Sequence, residues 1–276
     1  MTETTSPAAW LDLADRVCVV TGAGSGIGAE TARQLAALGA RVAALDRNGD
    51  AVAAVARQIE SAGGRAIAIA ADVTQAGDIA AAAVRVQAEL GACRVLVNNA
   101  ALVGYAGPLL SADLAQWNRT LDVNLTGALV CVQAFAPQMV AGGGGGSIVN
   151  VTSICGHEPL VQAGAYSVGK SGLMMLTRML SVELAGHGIR ANSVAPGLVH
   201  TPATEFAYRD AQVAEARSRM VPVGRVAEPL DLANVIVFLA SDRAAYVNGQ
   251  DVLVDGALSQ TLMAMVPKPA APPVAR

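Results

Sequence analysis

Val17-Cys-Val-Val-Thr21, followed by Gly22-Ala-Gly-Ser-Gly-Ile-Gly28, decides the fold of this chain. The first run is short, apolar and β-branched, the pattern of a strand buried on both faces of a parallel sheet. Ala29-Glu-Thr-Ala-Arg-Gln-Leu-Ala-Ala-Leu38 then reads as a helix that Gly39 stops. Between strand and helix, glycines let the backbone turn sharply and approach a pyrophosphate, which free N–H groups at the helix start can meet. Gly22, Gly26 and Gly28, with Ser25 and Ile27 among them, form that turn, and their spacing differs from the common G-x-G-x-x-G fingerprint. A second strand, Arg41-Val-Ala-Ala-Leu45, ends in Asp46. An acidic residue about 20 positions past such a turn can bond a ribose 2′-hydroxyl and repel a 2′-phosphate. Arg47 pulls the other way, since an arginine there can stack on adenine or meet a phosphate. Asp46 is given the greater weight, so the reading is NAD in preference to NADP.

A second constellation lies further along. Tyr166-Ser-Val-Gly-Lys170 places a phenol and an ammonium four residues apart, which on a helix is one face and about one turn. A free tyrosine has a pKa of about 10 and is a poor base at neutral pH. A nearby lysine is expected to favour the phenolate and bring the group into range for general acid–base work. Such a pair is common by chance; the glycine turn upstream gives it meaning.

Taken together these segments resemble the short-chain dehydrogenase/reductase family. Thr21-Gly-Ala-Gly-Ser-Gly-Ile-Gly28 is similar to its cofactor motif, and Asp72-Val73 to its adenine-contacting pair. Asn98-Asn99-Ala100-Ala101 resembles its Asn-Asn-Ala-Gly motif, with Ala101 where glycine is usual. Asn124, Ser153, Tyr166 and Lys170 fall where the family carries its catalytic tetrad. Pro196-Gly197, with Val199 and Thr201 beyond, matches the segment that meets the nicotinamide. The resemblance runs from about residue 11 to 256 with its motifs in order. It implies reversible hydride transfer between a nicotinamide cofactor and a secondary alcohol or ketone. Tyr166 would exchange the hydroxyl proton and Ser153 would hold the substrate oxygen. Lys170 would tune the tyrosine and bond the nicotinamide ribose, and Asn124 would anchor a water. Alone, Ser153 could equally end a strand, Asn124 could cap or bond within the core, and Lys170 could lie at the surface.

Composition is compatible with one large α/β domain. The chain has 276 residues, 53% hydrophobic and 15% charged, which suits burial against other subunits. Its net charge of −3 argues against nucleic acid. Cys18, Cys93, Cys131 and Cys155 are scattered and read as free thiols in a reducing compartment, so the cytoplasm is the expected location. Residues 1–10 lack the features of a secretory signal. No charged residue occurs between Asp122 and Glu158, yet Asn124, Gln133, Pro137 and the glycines 142–146 argue against a span. A helix over about 123–141, buried by packing and association, is expected instead. The resemblance implies a homotetramer or homodimer, with this helix and the one carrying Tyr166 at the contact.

Strands are expected near 17–21, 41–45, 66–70, 94–97, 147–151, 190–194 and 250–254, with helices between them. That alternation calls for a Rossmann-like, doubly wound parallel seven-stranded sheet in the order 3-2-1-4-5-6-7, in a single domain over 11–256. Residues 1–10 form an extension, and the proline- and alanine-rich 257–276 a tail. The substrate pocket is expected to draw on Leu102, Val103 and the stretch from Ile154 to Gln162. A lid over about 198–220 would add Phe206, Tyr208 and Met220. These positions are mostly apolar and favour a neutral, rather hydrophobic substrate. His157 is either a substrate contact or a loop residue, and His200 a turn residue. Three alternatives stay open: an NADP-dependent ketone reductase of the 3-oxoacyl type, a catalytically silent NAD-binding sensor or scaffold, and another enzyme on this fold, such as an epimerase, dehydratase or enoyl reductase. An epimerase usually needs a larger substrate domain, and enoyl reductases of the family space tyrosine and lysine more widely.

Overall fold

A computed structural model describes residues 10–104 and 107–267. Most of the expected N-terminal extension (1–9) and the end of the tail (268–276) lie outside them. Seven parallel strands form one sheet in the order β3-β2-β1-β4-β5-β6-β7, as expected. They are β1 (Val17–Thr21), β2 (Arg41–Asp46), β3 (Arg65–Ala70), β4 (Cys93–Asn98), β5 (Gly146–Val151), β6 (Ile189–Pro196) and β7 (Asp251–Val254). Five consecutive buried residues in β1 show why the run is uniformly apolar, since helices cover both of its faces.

One face carries α1 (Gly26–Ala37), α2 (Gly49–Ser61) and the late helix α8 (Pro229–Ala240). The other carries α3 (Ala76–Glu89), the helical run of α4 (Leu114–Leu121) and α5 (Gly127–Ala141), and α6 (Tyr166–Glu183). The remaining helix, α7 (Ala211–Met220), lies in the stretch expected to be the lid. Leu35, Val20, Val97 and Leu232 centre one core, and Leu96, Phe135, Ile148 and Ile189 the other.

The uncharged stretch begins earlier as a helix than its sequence suggests. α4 starts at Leu114 behind an Asp113 cap, passes through a π turn at Asp122–Thr126, and continues as α5. Leu114, Trp117 and Leu121 stand at helical spacing in α4, but Arg119 and Asp122 place this start outside the uncharged run. Leu114–Ala141 is one run long and apolar enough, by length and composition, to cross a membrane. It instead buries Cys131, Phe135 and Met139 against the sheet, and Gln138 bonds Cys93 N and Ala83 O in the core. Cys18, Cys93 and Cys131 are buried and Cys155 half-buried, all four as free thiols. Burial pushes the Cys18 and Cys131 thiols up to about 12.

Candidate active site

In an open parallel sheet the ligand crevice lies at the carboxyl ends of the strands, where chain direction switches between β1 and β4. Here Thr21 at the end of β1 joins the two. Its Oγ1 accepts hydrogen bonds from Asn99 N and Ala100 N, both at 3.1 Å. Asn99 Nδ2 returns bonds to Thr21 O and Gly22 O at 3.0 and 3.1 Å. The glycines are explained by close approach. A Cβ on Gly28 would stand 2.2 Å from Gly22 O, and one on Gly22 2.8 Å from Ala100 Cα. Gly26 has φ +55, a left-handed conformation that suits glycine.

α1 begins at Gly26 with Ser25 making no side-chain cap and no acidic residue in its first turn. Its N–H groups and the positive end of its dipole therefore face the crevice without a protein anion. Asp46 closes the far side, its Oδ2 accepting from Gly24 N at 3.0 Å and its Oδ1 from Asn48 N at 2.9 Å. Gly24 was not singled out from the sequence, although a Cβ there would come within 2.9 Å of Asp46 Oδ2. Asp46, Arg47, Asp72, Val73, Ala100 and Ala101 line one cleft with about 540 Å³ of empty space. The Asp72 carboxyl lies below the usual range because Thr74 N donates to it, helped by the Thr74 hydroxyl and by Arg119 and Arg47. A cradle closed to side chains, an uncapped helix start and a carboxylate at the end of β2 fit a nicotinamide dinucleotide.

The second half of the site lies at the ends of β5 and β6. Ser153 follows β5 and is nearly buried, its Oγ accepting from Cys155 N at 3.1 Å within the turn Ile154–Gly156. Tyr166 opens α6, its phenol within reach of the Ser153 hydroxyl. Lys170 lies one turn on, fully buried, with Nζ donating to Val151 O at 2.7 Å and 5.8 Å from the Tyr166 ring centroid.

The expected lowering of the tyrosine pKa by lysine is not what this environment gives. Burial dominates and pushes the phenol up to about 12, with the Ser153 hydroxyl opposing it. Burial also brings Lys170 down to about 8. Desolvation disfavours both charged forms, phenolate and ammonium alike.

Asn124 sits in the π turn, buried, and both ends of its amide hold one backbone unit. Oδ1 accepts from Leu102 N at 3.0 Å and Nδ2 donates to Leu102 O at 2.6 Å. It therefore fixes the irregular segment that leaves Ala101, the core-bonded alternative for this residue. π turns inside helices frequently mark functional sites, and this one aims Asn124 at that segment.

Past β6, Pro196-Gly197 leads to buried Val199 and to Thr201, whose Cβ lies 3.4 Å from where a side chain on Gly26 would begin. The two halves of the cradle therefore meet there. Among the tentative substrate residues, Ile154 is half-buried in the turn after Ser153, while Val103 and Phe206 are exposed. His157 instead stands with Nε2 2.5 Å from Asp251 Oδ2. His200 pairs with Glu205 at 2.7 Å and packs on Tyr208, as a turn residue would. The stretch 198–220 is not an irregular loop throughout, since α7 occupies its second half behind an Asp210 cap.

A family model described as Enoyl-(Acyl carrier protein) reductase matches residues 22–259. The cis-4-hydroxycyclohexanecarboxylate dehydrogenase of Sinomonas cyclohexanicum is 42% identical over 88% of this chain and 96% of its own. The D-threitol dehydrogenase of Mycolicibacterium smegmatis is 39% identical over 87% of this chain and 92% of its own. A crystal structure from Beutenbergia cavernae, described as a putative NAD(P) dependent gluconate 5-dehydrogenase with bound NADP at low occupancy, superposes with a TM-score of 0.85. It is 39% identical over 91% of this chain and 99% of its own. The chain belongs to the short-chain dehydrogenase/reductase family and is an oxidoreductase of Rossmann-like fold.

Proposed function

We propose that this protein is an NAD-dependent dehydrogenase that interconverts a secondary alcohol and a ketone, on a neutral, rather hydrophobic and preferably alicyclic substrate. One observation carries the reading: a serine–tyrosine–lysine group at the end of β5 and the start of α6, Ser153 and Lys170 buried and Tyr166 half-buried, on a sheet whose β1–α1 turn forms a dinucleotide cradle. The dehydrogenase relatives, one acting on a hydroxylated cyclohexane ring, support the reaction class. The spacing of four between Tyr166 and Lys170 supports alcohol chemistry over enoyl reduction, despite the description of the family model.

A bound nicotinamide supplies the hydride acceptor or donor. In oxidation the Ser153 hydroxyl orients the substrate oxygen and Tyr166, as phenolate, takes the hydroxyl proton; in reduction the phenol returns it. Lys170 sits beside that ring, where its ammonium favours the phenolate that accepts the proton. Asn124 holds the Leu102 backbone at the edge of the cradle.

Asp46 at the end of β2 supports NAD, its carboxylate opposing a 2′-phosphate. Arg47, close enough to lower the Asp72 pKa, and the NADP-bound relative support NADP as the second reading. The free cysteines support a cytoplasmic location. Exposed apolar side chains on α5 and α6 (Leu129, Val140, Val168, Met175, Met179 and Val182) support a homotetramer or homodimer.

Initial rates at the reduced-nicotinamide absorbance band, with cyclohexanol, substituted cyclohexanols and linear secondary alcohols, test the proposal. Turnover with NAD above NADP, strongest on the cyclic alcohols, is expected. Activity confined to sugar acids or to acyl thioesters would overturn the substrate class, and NADP preference would overturn the cofactor assignment.

A further inference from the structure

The Asp251 carboxylate lies at the start of β7 with 5% of its side chain exposed. A buried charge is costly unless several donors meet it. Three converge here. Ser193 on β6 donates to Oδ1. Thr152, at the end of β5, donates to the same oxygen at 2.7 Å. His157 Nε2 stands 2.5 Å from Oδ2. Asn98, Asn150, Ser193 and Asp251 are successive register partners across β4, β5, β6 and β7, so the carboxylate ends a polar row one level below the catalytic end.

Two of those donors flank Ser153 in the chain. Thr152 precedes it, and His157 closes the turn that follows it. That turn is stiff. Gly156 N donates to Ser153 O at 2.9 Å, and His157 N and Glu158 N both donate to Ile154 O, at 2.9 and 2.8 Å. Its other side is fastened to α6, where Gly156 O accepts from Ser171 Oγ at 2.6 Å. The sheet side is fastened through the imidazole and the threonine to one carboxylate.

We propose that the His157–Asp251 pair is a positioning device for Ser153, holding its hydroxyl at the Tyr166 phenol without touching substrate. This deepens the dehydrogenase reading and rests on it. Its reach follows from geometry, because a displacement of about 1 Å at a reacting centre can cost on the order of 100-fold in rate. His157 is then a positioning residue, not a substrate contact.

The test uses the full chain, with cyclohexanol and NAD as probe. His157→Ala lowers kcat about tenfold and leaves the KM for NAD unchanged. His157→Gln, whose amide N–H can replace Nε2–H, regains most of that loss. In a Ser153→Ala background, adding His157→Ala changes kcat no further, because the positioned group is already gone. Without substrate, hydrogen exchange at Cys155 and Gly156 accelerates about tenfold in His157→Ala and stays at the wild-type rate in His157→Gln. Wild-type kcat and wild-type exchange in His157→Ala overturn the proposal, as does a loss that adds in full to that of Ser153→Ala. If the wild-type protein oxidises no alcohol, the dehydrogenase reading falls by itself. The exchange rates then decide the clasp, accelerated rates upholding it and unchanged rates overturning it.

Discussion

The two ends of the site are held by different kinds of contact. At the glycine turn the walls are backbone: Gly22 O, Ala100 Cα and the N–H groups of α1, with room for no added methyl at Gly28. At the Ser153 turn the walls are side chains joined across long stretches of sequence, His157 to Asp251 and Asn124 to the Leu102 backbone. A backbone-built cradle accepts one ligand shape and fails when a single atom is added. A side-chain-built pocket can change residue by residue, so the substrate end is free to vary while the cofactor end is not. The proposed lid over 198–220 belongs to the second kind, with Phe206 72% exposed and therefore packed on little of its own chain.

The largest effect is expected at the backbone-built end. Gly28→Ala puts a methyl 2.2 Å from Gly22 O and 2.4 Å from Asn99 Nδ2, neither of which can move cheaply. Destabilisation of about 3 kcal/mol is expected, a fall in Tm on the order of 10 °C, together with loss of NADH binding. Calorimetry and an NADH fluorescence titration check this, and an unchanged Tm would dissolve the contrast between the two ends. Next in size is Asp46→Ser, which removes the carboxylate opposing a 2′-phosphate. The ratio of kcat/KM for NAD over NADP should fall on the order of 100-fold. A ratio that does not move would mean that Arg47 already governs the choice.

Lys170 gives a smaller effect with a definite sign. Burial holds its folded-state pKa at about 8, below the 10.5 of a free lysine, so between these the unfolded chain binds more protons. From this residue, stability rises with pH across that window. Tyr166, raised from 10.0 to about 12, contributes the opposite slope only above 10. Between pH 8 and 10, wild type should therefore gain on the order of 2 kcal/mol that Lys170→Met does not. Denaturant unfolding of both proteins at each pH isolates the lysine, and parallel curves would show that its charge is not buried at a cost. The smallest effect belongs to the lid. Phe206→Ala should raise the alcohol KM several-fold while kcat and Tm hold, because the ring is exposed.

How far the sequence could be read follows the same division. The β1 run, the glycine turn and Asp46 are contiguous or nearly so, and the parallel sheet and its order follow from strands alternating with helices. Tyr166 and Lys170 are joined by the helical period itself. Contacts formed by side chains from distant segments leave no local signal. His157 and Asp251 lie 94 residues apart, and Asn124 and Leu102 are brought together by a π turn that no apolar periodicity announces. Gly24 leaves no local signal, because its reason is a carboxylate on the next strand. The direction of the Tyr166 pKa shift is not legible locally, because spacing shows a nearby lysine but not the desolvation of both groups.

The central claim is that the cradle binds the cofactor while Tyr166 carries the chemistry. Wild type and Tyr166→Phe, measured side by side for NADH affinity and for cyclohexanol oxidation, test it most directly. The account predicts affinity within about twofold of wild type and a loss in kcat of about 100-fold or more, the contribution of a positioned acid–base group. Turnover in Tyr166→Phe equal to wild type would contradict it.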